Sequence, residues 1–293
     1  MNKKLKSSFE RRTNKVAYLI VLPIFLYHFV MVIVPSLNTV YGSFTQWSGI
    51  GAKKFIGLQN YYELFHDVEF YGALLNNIKW MIVFLTIPIF LGFVIGYFLS
   101  RIKKGQIIYR TIYFLPYVIS AAIAGKIFAT FYNPYFGINV ILEKLNLDFL
   151  TRDWLAPKNA LFSVAMVDNW HWWGFVLVIF MSGLQQIDPS LYEVADVEGA
   201  NTLEKMRYVT APCIKNTIIF ILTATMVWSI GTFDYVWVMT KGGAGSELLS
   251  TMLYKNSLFK YKAGYASSIA VVQAVLSFAI LGMFMMIRKR SED

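Results

Sequence analysis

Residues 78–100 read IKWMIVFLTIPIFLGFVIGYFLS, with a single charge at Lys79. A helix of about 20 such residues, rising 1.5 Å per residue, reaches about 30 Å, the thickness of the hydrocarbon core of a bilayer. Pro88 lies inside the run. In a membrane bundle, neighbouring helices and hydroxyl side chains can re-satisfy the backbone group that a proline frees, so it does not veto the helix.

Five further runs of the same kind lie on either side. They cover about 16–36 (VAYLIVLPIFLYHFVMVIVPS), 107–132, 161–184, 214–239 and 265–287. The chain is therefore expected to be an all-α integral membrane protein, a bundle of six transmembrane helices. Composition agrees: of 293 residues, 57% are hydrophobic and 15% charged, with a mean hydropathy of +0.51. An ordinary soluble domain carries about 25% charged residues and cannot hide so much apolar surface. The same figures exclude intrinsic disorder, and the single cysteine, Cys213, excludes a disulfide framework. Cys213 is expected to be a small packing residue at a membrane boundary. No internal repeat is visible. The first run exceeds a signal-peptide core of about 7–15 residues and no A-x-A-like cleavage site follows it, so it is read as a helix.

The net charge of +10, from 27 Lys and Arg against 17 Asp and Glu, fits nucleic acid or a membrane surface. Placement decides between them. Six basic residues (Lys3, Lys4, Lys6, Arg11, Arg12, Lys15) precede the first run, and four (Arg101, Lys103, Lys104, Arg110) follow the second. Three (Lys205, Arg207, Lys215) lie between the fourth and fifth, and three (Arg288, Lys289, Arg290) end the chain. These sixteen share one side, whereas ten are spread over the longer loops of the other and Lys126 falls within the third run. Basic flanks mark the cytoplasmic face, so both termini are expected there, as an even number of spans requires. Residues 1–15 form a basic cytoplasmic segment and 288–293 a cytoplasmic tail. The excess charge meets anionic lipid, not nucleic acid.

Catalytic signatures are missing. The nearest match to the phosphate cradle G-x-x-x-x-G-K-[ST] is Ser120–Ile127, SAAIAGKI, which lacks the first Gly and the closing hydroxyl. No H-E-x-x-H or G-x-S-x-G occurs, and three isolated histidines offer no metal cluster. Nothing in the sequence supports catalysis within this chain.

The connection 188–212, DPSLYEVADVEGANTLEKMRYVTAP, is unlike the others. Asp188 followed by Pro189 is a helix start, an oxygen cap and then proline at the first helical position. The spacing predicts a short helix to about Glu198 with Leu191, Val194, Ala195 and Glu198 near one face. A break at Gly199 follows, then a second helix over Leu203–Val209 stopped by Pro212. Such a hairpin suits a partner's groove, although a solvated amphipathic loop would have the same pattern.

The segment resembles the EAA motif of ABC importer permeases, E-A-A-x₃-G-x₉-I-x-L-P. Glu193, Ala195, Gly199 and Pro212 match at the family's spacing, while Val194, Val209 and Ala211 depart but stay apolar. Other short motifs follow in order: Gly57-Leu58-Gln59-Asn60-Tyr61, Phe114-Leu115-Pro116, Asn133-Pro134 with Gly137, Thr240-Lys241-Gly242-Gly243, and Gly264-Tyr265-Ala266. Ala244 stands where the family usually has proline. Together they are similar to the permeases of sugar and sugar-derivative importers over about residues 16–287. The resemblance implies the six-helix fold of a type I ABC importer subunit in a bacterial-type cytoplasmic membrane. It implies a homologous second permease, an extracytoplasmic binding protein that delivers a sugar-type solute, and two ATP-binding cassette subunits. Those subunits use ATP and Mg²⁺, and this chain binds no cofactor. They would dock on Glu193, Val194, Ala195, Glu198, Gly199, Ala200 and Pro212. The alternative reading is an ATP-independent secondary transporter or channel, which would leave the docking loop unexplained.

Polar side chains inside a span usually face the bundle interior or water. The fourth run carries Asp168-Asn169-Trp170-His171-Trp172-Trp173, and the fifth carries Trp228, Ser229, Thr232, Asp234, Tyr235 and Trp237. Sugars need partners for their hydroxyls and flat faces for their C–H surfaces. Trp170, Trp173, Trp228, Thr232, Asp234 and Trp237 are the candidates for the solute path; interfacial belts and helix-to-helix contacts use the same residue types. Asp168 or Asp234 could pair with Lys126, and His28 is expected to hydrogen-bond between helices.

Overall fold

The structure is a computed structural model that describes residues 18–102 and 104–292, with side chains to residue 286. The basic segment 1–15 lies outside the described residues, as do Lys103 and all the side chains of the basic tail. Five helices are long and apolar enough to cross a membrane, and one bent pair makes a sixth candidate. The chain divides into two compact units, one ending at Leu64 and completed by Asn256–Val271, the other comprising Phe65–Lys255 and the residues from Val272 on.

The first unit begins with α1 (Tyr18–Ser43), whose apolar window is wholly exposed. A two-residue ladder follows, β1 (Thr45–Gln46) antiparallel to β2 (Lys54–Phe55), and then α2 (Gln59–Leu64). The Asn60 amide donates to the carbonyls of Ser43 (2.8 Å) and Thr45 (2.9 Å), and Tyr61 Oη meets Ser43 Oγ at 2.7 Å. The G-L-Q-N-Y motif thus ties off the end of α1. The Gly264 N–H donates to Trp47 O at 3.0 Å, so the G-Y-A motif anchors the start of the last helix to the same turn. His28 is exposed on α1 and makes no side-chain hydrogen bond in the described chain, against expectation.

The second unit contains α3 (Val68–Leu99), α4 (Gln106–Val118), α5 (Ala121–Phe131), α6 (Ile138–Lys144) and α7 (Ala160–Leu184). Then come α8 (Pro189–Val197), a helical run α9 over 202–213, α10 (Lys215–Gly231), α11 (Asp234–Met239) and α12 (Leu249–Tyr254). The last helix, α13 (Ala263–Glu292), crosses from one unit to the other along the chain. The core lies between α3 and α7, which run parallel. A Cβ on Gly92 would lie 2.8 Å from a Val176 methyl, and one on Gly96 3.4 Å from Phe180 Cβ. Two glycines a turn apart let the backbones approach where the hydrophobic effect cannot drive helices together. Trp80 and Phe84 stack at 5.9 Å and join Val176 and Phe180 in this core.

Five of the expected runs are apolar helices and the third is a bent pair, and in places their courses differ from expectation. The second begins at Val68, ten residues before Ile78, capped by Asp67, whose Oδ1 accepts the Glu69 N–H at 2.8 Å. Its polar first turns are used structurally: Asn77 Nδ2 donates to Ser229 O at 3.2 Å, and Asn77 Oδ1 accepts the Leu249 N–H at 2.9 Å. The third run is not one helix, because α4 and α5 meet at 89°. Ile119 and Ser120 are extended there, just after Pro116, which cannot continue the hydrogen-bond ladder. α5 turns to pack on α11, whereas α4 packs on α7. Cys213 is exposed rather than packed. Lys126 is exposed on α5 and pairs with neither Asp168 nor Asp234.

Candidate functional site

α7, α10 and α11 enclose a half-open cavity of about 700 Å³. α7 contributes Asp168, His171 and Trp172, whose spacing of three and four residues places them on one helical face. The break between α10 and α11 contributes Trp228, Thr232, Asp234 and Tyr235. Thr232 and Phe233 leave helical geometry, and the Thr232 hydroxyl donates to Trp228 O at 3.2 Å. Trp172 and Trp228 stack at 4.7 Å and 22°, and the Trp172 indole N–H donates to Thr225 Oγ1 at 3.2 Å.

The polar groups of the cavity are incompletely paired. Both carboxylate oxygens of Asp168, His171 Nδ1 and Tyr235 Oη are buried with no well-formed hydrogen bond. The Trp228 and Thr232 side chains lie beside the carboxylate, and His171 lies against the backbone of Tyr117 and Ile119 at the α4–α5 bend. The Tyr117 and His171 rings are 5.2 Å apart. A buried carboxylate whose neighbouring donors are poorly aligned costs free energy. The arrangement therefore offers acceptors to a ligand rich in hydroxyls, next to a stacked indole pair that can take a C–H face. Among the described residues no group of three side chains could hold a metal ion.

Trp228, Thr232 and Asp234 of the six candidates line this cavity. The other three stand outside it. Trp170 packs on Phe128 at 5.1 Å, Trp173 on Tyr113 at 6.2 Å, and Trp237 on Phe233 and Tyr254 at 5.7 and 4.6 Å. Sequence reasoning passed over His171, Trp172 and Tyr235, and gave Asp168 only a pairing role. The signal was present: stepping by three and four from Asp168 selects His171 and Trp172, not Trp170 and Trp173.

The hairpin leaves the far end of α7. Asp188 caps α8, its Oδ1 accepting the Ser190 N–H at 2.9 Å, and this bond holds its carboxyl below the ordinary aspartate range. Gly199 turns the chain with φ +76°, and the Ala200 N–H donates to Ala195 O at 2.9 Å. Asn201 and Glu204 then form a reciprocal capping box at 3.0 and 2.7 Å. Tyr192 Oη meets Thr210 Oγ1 at 2.9 Å and Lys205 pairs with Asp196, so both arms are stapled. The Arg101 guanidinium, just beyond α3, lies 4.0 Å from the Tyr97 ring centroid and 4.7 Å from that of Tyr192.

Of the expected docking residues, Ala195 is buried, Ala200 half-buried, and Glu193, Val194, Glu198, Gly199 and Pro212 exposed. Leu191, Val194, Val197, Leu203 and Tyr208 add an exposed apolar surface. Ala195 therefore faces inward, away from Leu191 and Val194. Pro212 does not stop the second helix. A π-helical turn at Lys205–Thr210 widens the helix ahead of the proline, and the break falls at buried Ile214, with φ −102° and ψ 20°.

The family described as binding-protein-dependent transport system inner membrane component matches residues 80–290. A probable ABC transporter permease of Bacillus subtilis, YurN, is 34% identical over 288 residues, 96% of this chain and 98% of that one. The trehalose/maltose transport system permease MalF of Thermococcus litoralis is 29% identical over 287 residues, 96% of this chain and 97% of its own length. The fold superposes with a TM-score of 0.84 on a chain of a bacterial ABC transporter that imports the acidic polysaccharide alginate. That chain is 22% identical, with 98% of this chain and 99% of that one covered.

Proposed function

This chain belongs to the family of binding-protein-dependent transport system inner membrane components, and on that premise we propose that it forms part of the path by which an ATP-driven importer moves a sugar or sugar derivative. The observation that carries the solute class is the cavity in which buried, unpaired Asp168 sits beside the Trp172–Trp228 stack. The substrate of the trehalose/maltose relative supports it.

In this proposal the solute's hydroxyls donate to Asp168 and Asp234, and a C–H face lies on Trp228. Thr232 closes the polar edge. A second permease of the same kind completes the half-open cavity and covers apolar surface such as that of α1. A binding protein delivers solute on the extracytoplasmic side of a bacterial-type cytoplasmic membrane, and both termini face the cytoplasm. Two partner subunits hydrolyse ATP with Mg²⁺ and dock on the hairpin through Leu191, Val194, Val197 and Leu203. Movement of the hairpin reaches α3 through the Tyr192–Arg101–Tyr97 stack and shifts the bundle between two access states.

Reconstitution tests the reading. Proteoliposomes holding the assembled transporter are expected to take up a sugar when ATP and the loaded binding protein are supplied, and Asp168→Ala should abolish uptake. Uptake of no sugar or sugar derivative in a broad panel would overturn the solute class.

A further inference from the structure

A second pocket, of about 270 Å³, lies at the end of α7 opposite the hairpin, between α3 and α7. Lys79 and Lys158 both line it. Both are exposed, and neither has a carboxylate partner among the described residues. Trp80 also lines it, is fully buried, and has an indole N–H with no acceptor. Asn76 belongs to its frame: its amide is already committed to Gly245 O and Glu247 O at 2.9 Å each. The pocket therefore presents two cations that meet no carboxylate among the described residues, with the unpaired Trp80 N–H buried in its wall.

The rest of the lining is apolar and ordered. Because α3 and α7 run parallel, both are read in the same direction from this end. On α3 the order is Lys79, Trp80, Val83; leading into α7 it is Lys158, Leu161, Phe162, Ala165. Past Asn76 and Pro157, which also line the pocket, each arm shows its cation and then its apolar residues further into the span, with Phe162 54% exposed. A free anion needs the lysines but not this wall. A ligand with an anionic head and an alkyl tail uses both.

We propose that this pocket binds one anionic phospholipid, from the leaflet facing away from the hairpin. Lys79 and Lys158 hold the phosphate, the Trp80 N–H donates to a headgroup or ester oxygen, and one acyl chain lies along Val83 and Phe162. Lys79 reaches the phosphate by extending its stem along the helix toward the interface. This inference does not depend on which solute is transported.

Native mass spectrometry of the assembled transporter tests it, with phosphatidylglycerol or phosphatidylcholine of the same acyl chains added. The wild type is expected to retain one additional phosphatidylglycerol per copy of this chain. K79Q/K158Q should bind it roughly 30-fold more weakly, the loss of two lysine–anion attractions of ordinary size near a membrane surface. K79R/K158R should retain it, and phosphatidylcholine should not distinguish the variants. Undiminished phosphatidylglycerol in K79Q/K158Q would overturn the proposal. So would displacement of the lipid by glycerol phosphate at equal concentration, which would mark a headgroup-only anion site. If K79Q/K158Q lost binding-protein-stimulated ATP hydrolysis in phosphatidylcholine alone, with lipid retention unchanged, the lysines would serve a protein contact and the lipid assignment would fall.

Discussion

The hairpin over 188–213 and the cavity between α7 and the α10–α11 break are unfinished in opposite ways. In the hairpin polar side chains close on one another: Asp188 on Ser190, Asn201 on Glu204, Tyr192 on Thr210, Asp196 on Lys205. What it leaves open is chiefly an apolar patch, at Leu191, Val194, Val197 and Leu203, with Glu193 and Glu198 exposed beside it. In the cavity the unsatisfied groups are polar, at Asp168, His171 and Tyr235, buried within a wall whose open surface is mostly apolar. The first deficit suits a protein surface, since apolar area is released from water on docking without a demand for exact polar partners. The second suits a small hydroxylated ligand, which brings its own donors. A site that awaits a subunit and one that awaits a solute can be told apart by which class of group is left unsatisfied.

The widest separation between the two is expected from Gly199→Val. A β-branched residue at φ +76° is strained although the space beside the glycine is open. Co-purification of the ATP-hydrolysing subunits should fall at least tenfold while the permease remains in the membrane; intact assembly would break the assignment of the hairpin. Asp168→Asn should give the converse. Its amide keeps the shape, so assembly and thermal stability should hold, whereas ATP-driven uptake should drop at least tenfold. Equal uptake would remove the carboxylate from the path.

Smaller effects sharpen the contrast. Trp228→Ala removes one face of the indole stack, and an aromatic contact of about 1 kcal/mol corresponds to roughly a fivefold rise in the half-saturating solute concentration. Arg101→Gln removes two cation–π contacts of about 0.5–1 kcal/mol each. It should leave subunit binding intact but lower solute moved per ATP a few-fold, measured by uptake and phosphate release on the same vesicles. The smallest change concerns Asp188. Its carboxyl is held below the ordinary range, so the cap contributes stability at neutral pH and loses it as the pH falls through the folded value. The protection factors of the hairpin amides, which are referred to the intrinsic exchange rate at each pH, should fall slightly in acid for the wild type, and Asp188→Asn, which keeps an accepting oxygen, should abolish that pH dependence.

Much of this contrast is legible in the sequence. The runs at 161–184 and 265–287 match their helices closely because length and hydropathy suffice for a straight span. Asp188-Pro189 and Gly199 announce the hairpin because caps and turns are local. The bend at Ile119–Ser120 is not legible, since hydropathy measures how apolar a stretch is and not the direction it takes after Pro116. Thr232–Phe233 is hidden likewise inside a run that reads as continuous. Only three of the six candidates line the cavity, for a related reason. Aromatic residues crowd both sides of α7, and only the angular position of Asp168 says which side opens inward. The end of α9 lies past a π-helical turn whose Thr210 hydroxyl meets Tyr192 across the hairpin, a contact no local pattern announces.

The central claim is that solute passes through the cavity between α7 and the α10–α11 break. It is tested most directly by Asp234→Cys in a Cys213→Ser background, following the rate of modification by a small thiol reagent in the assembled transporter. Asp234 is exposed at the mouth of that cavity. The account predicts that the transported sugar, presented with its binding protein and ATP, slows modification several-fold. An unchanged rate in a variant that still transports would contradict it.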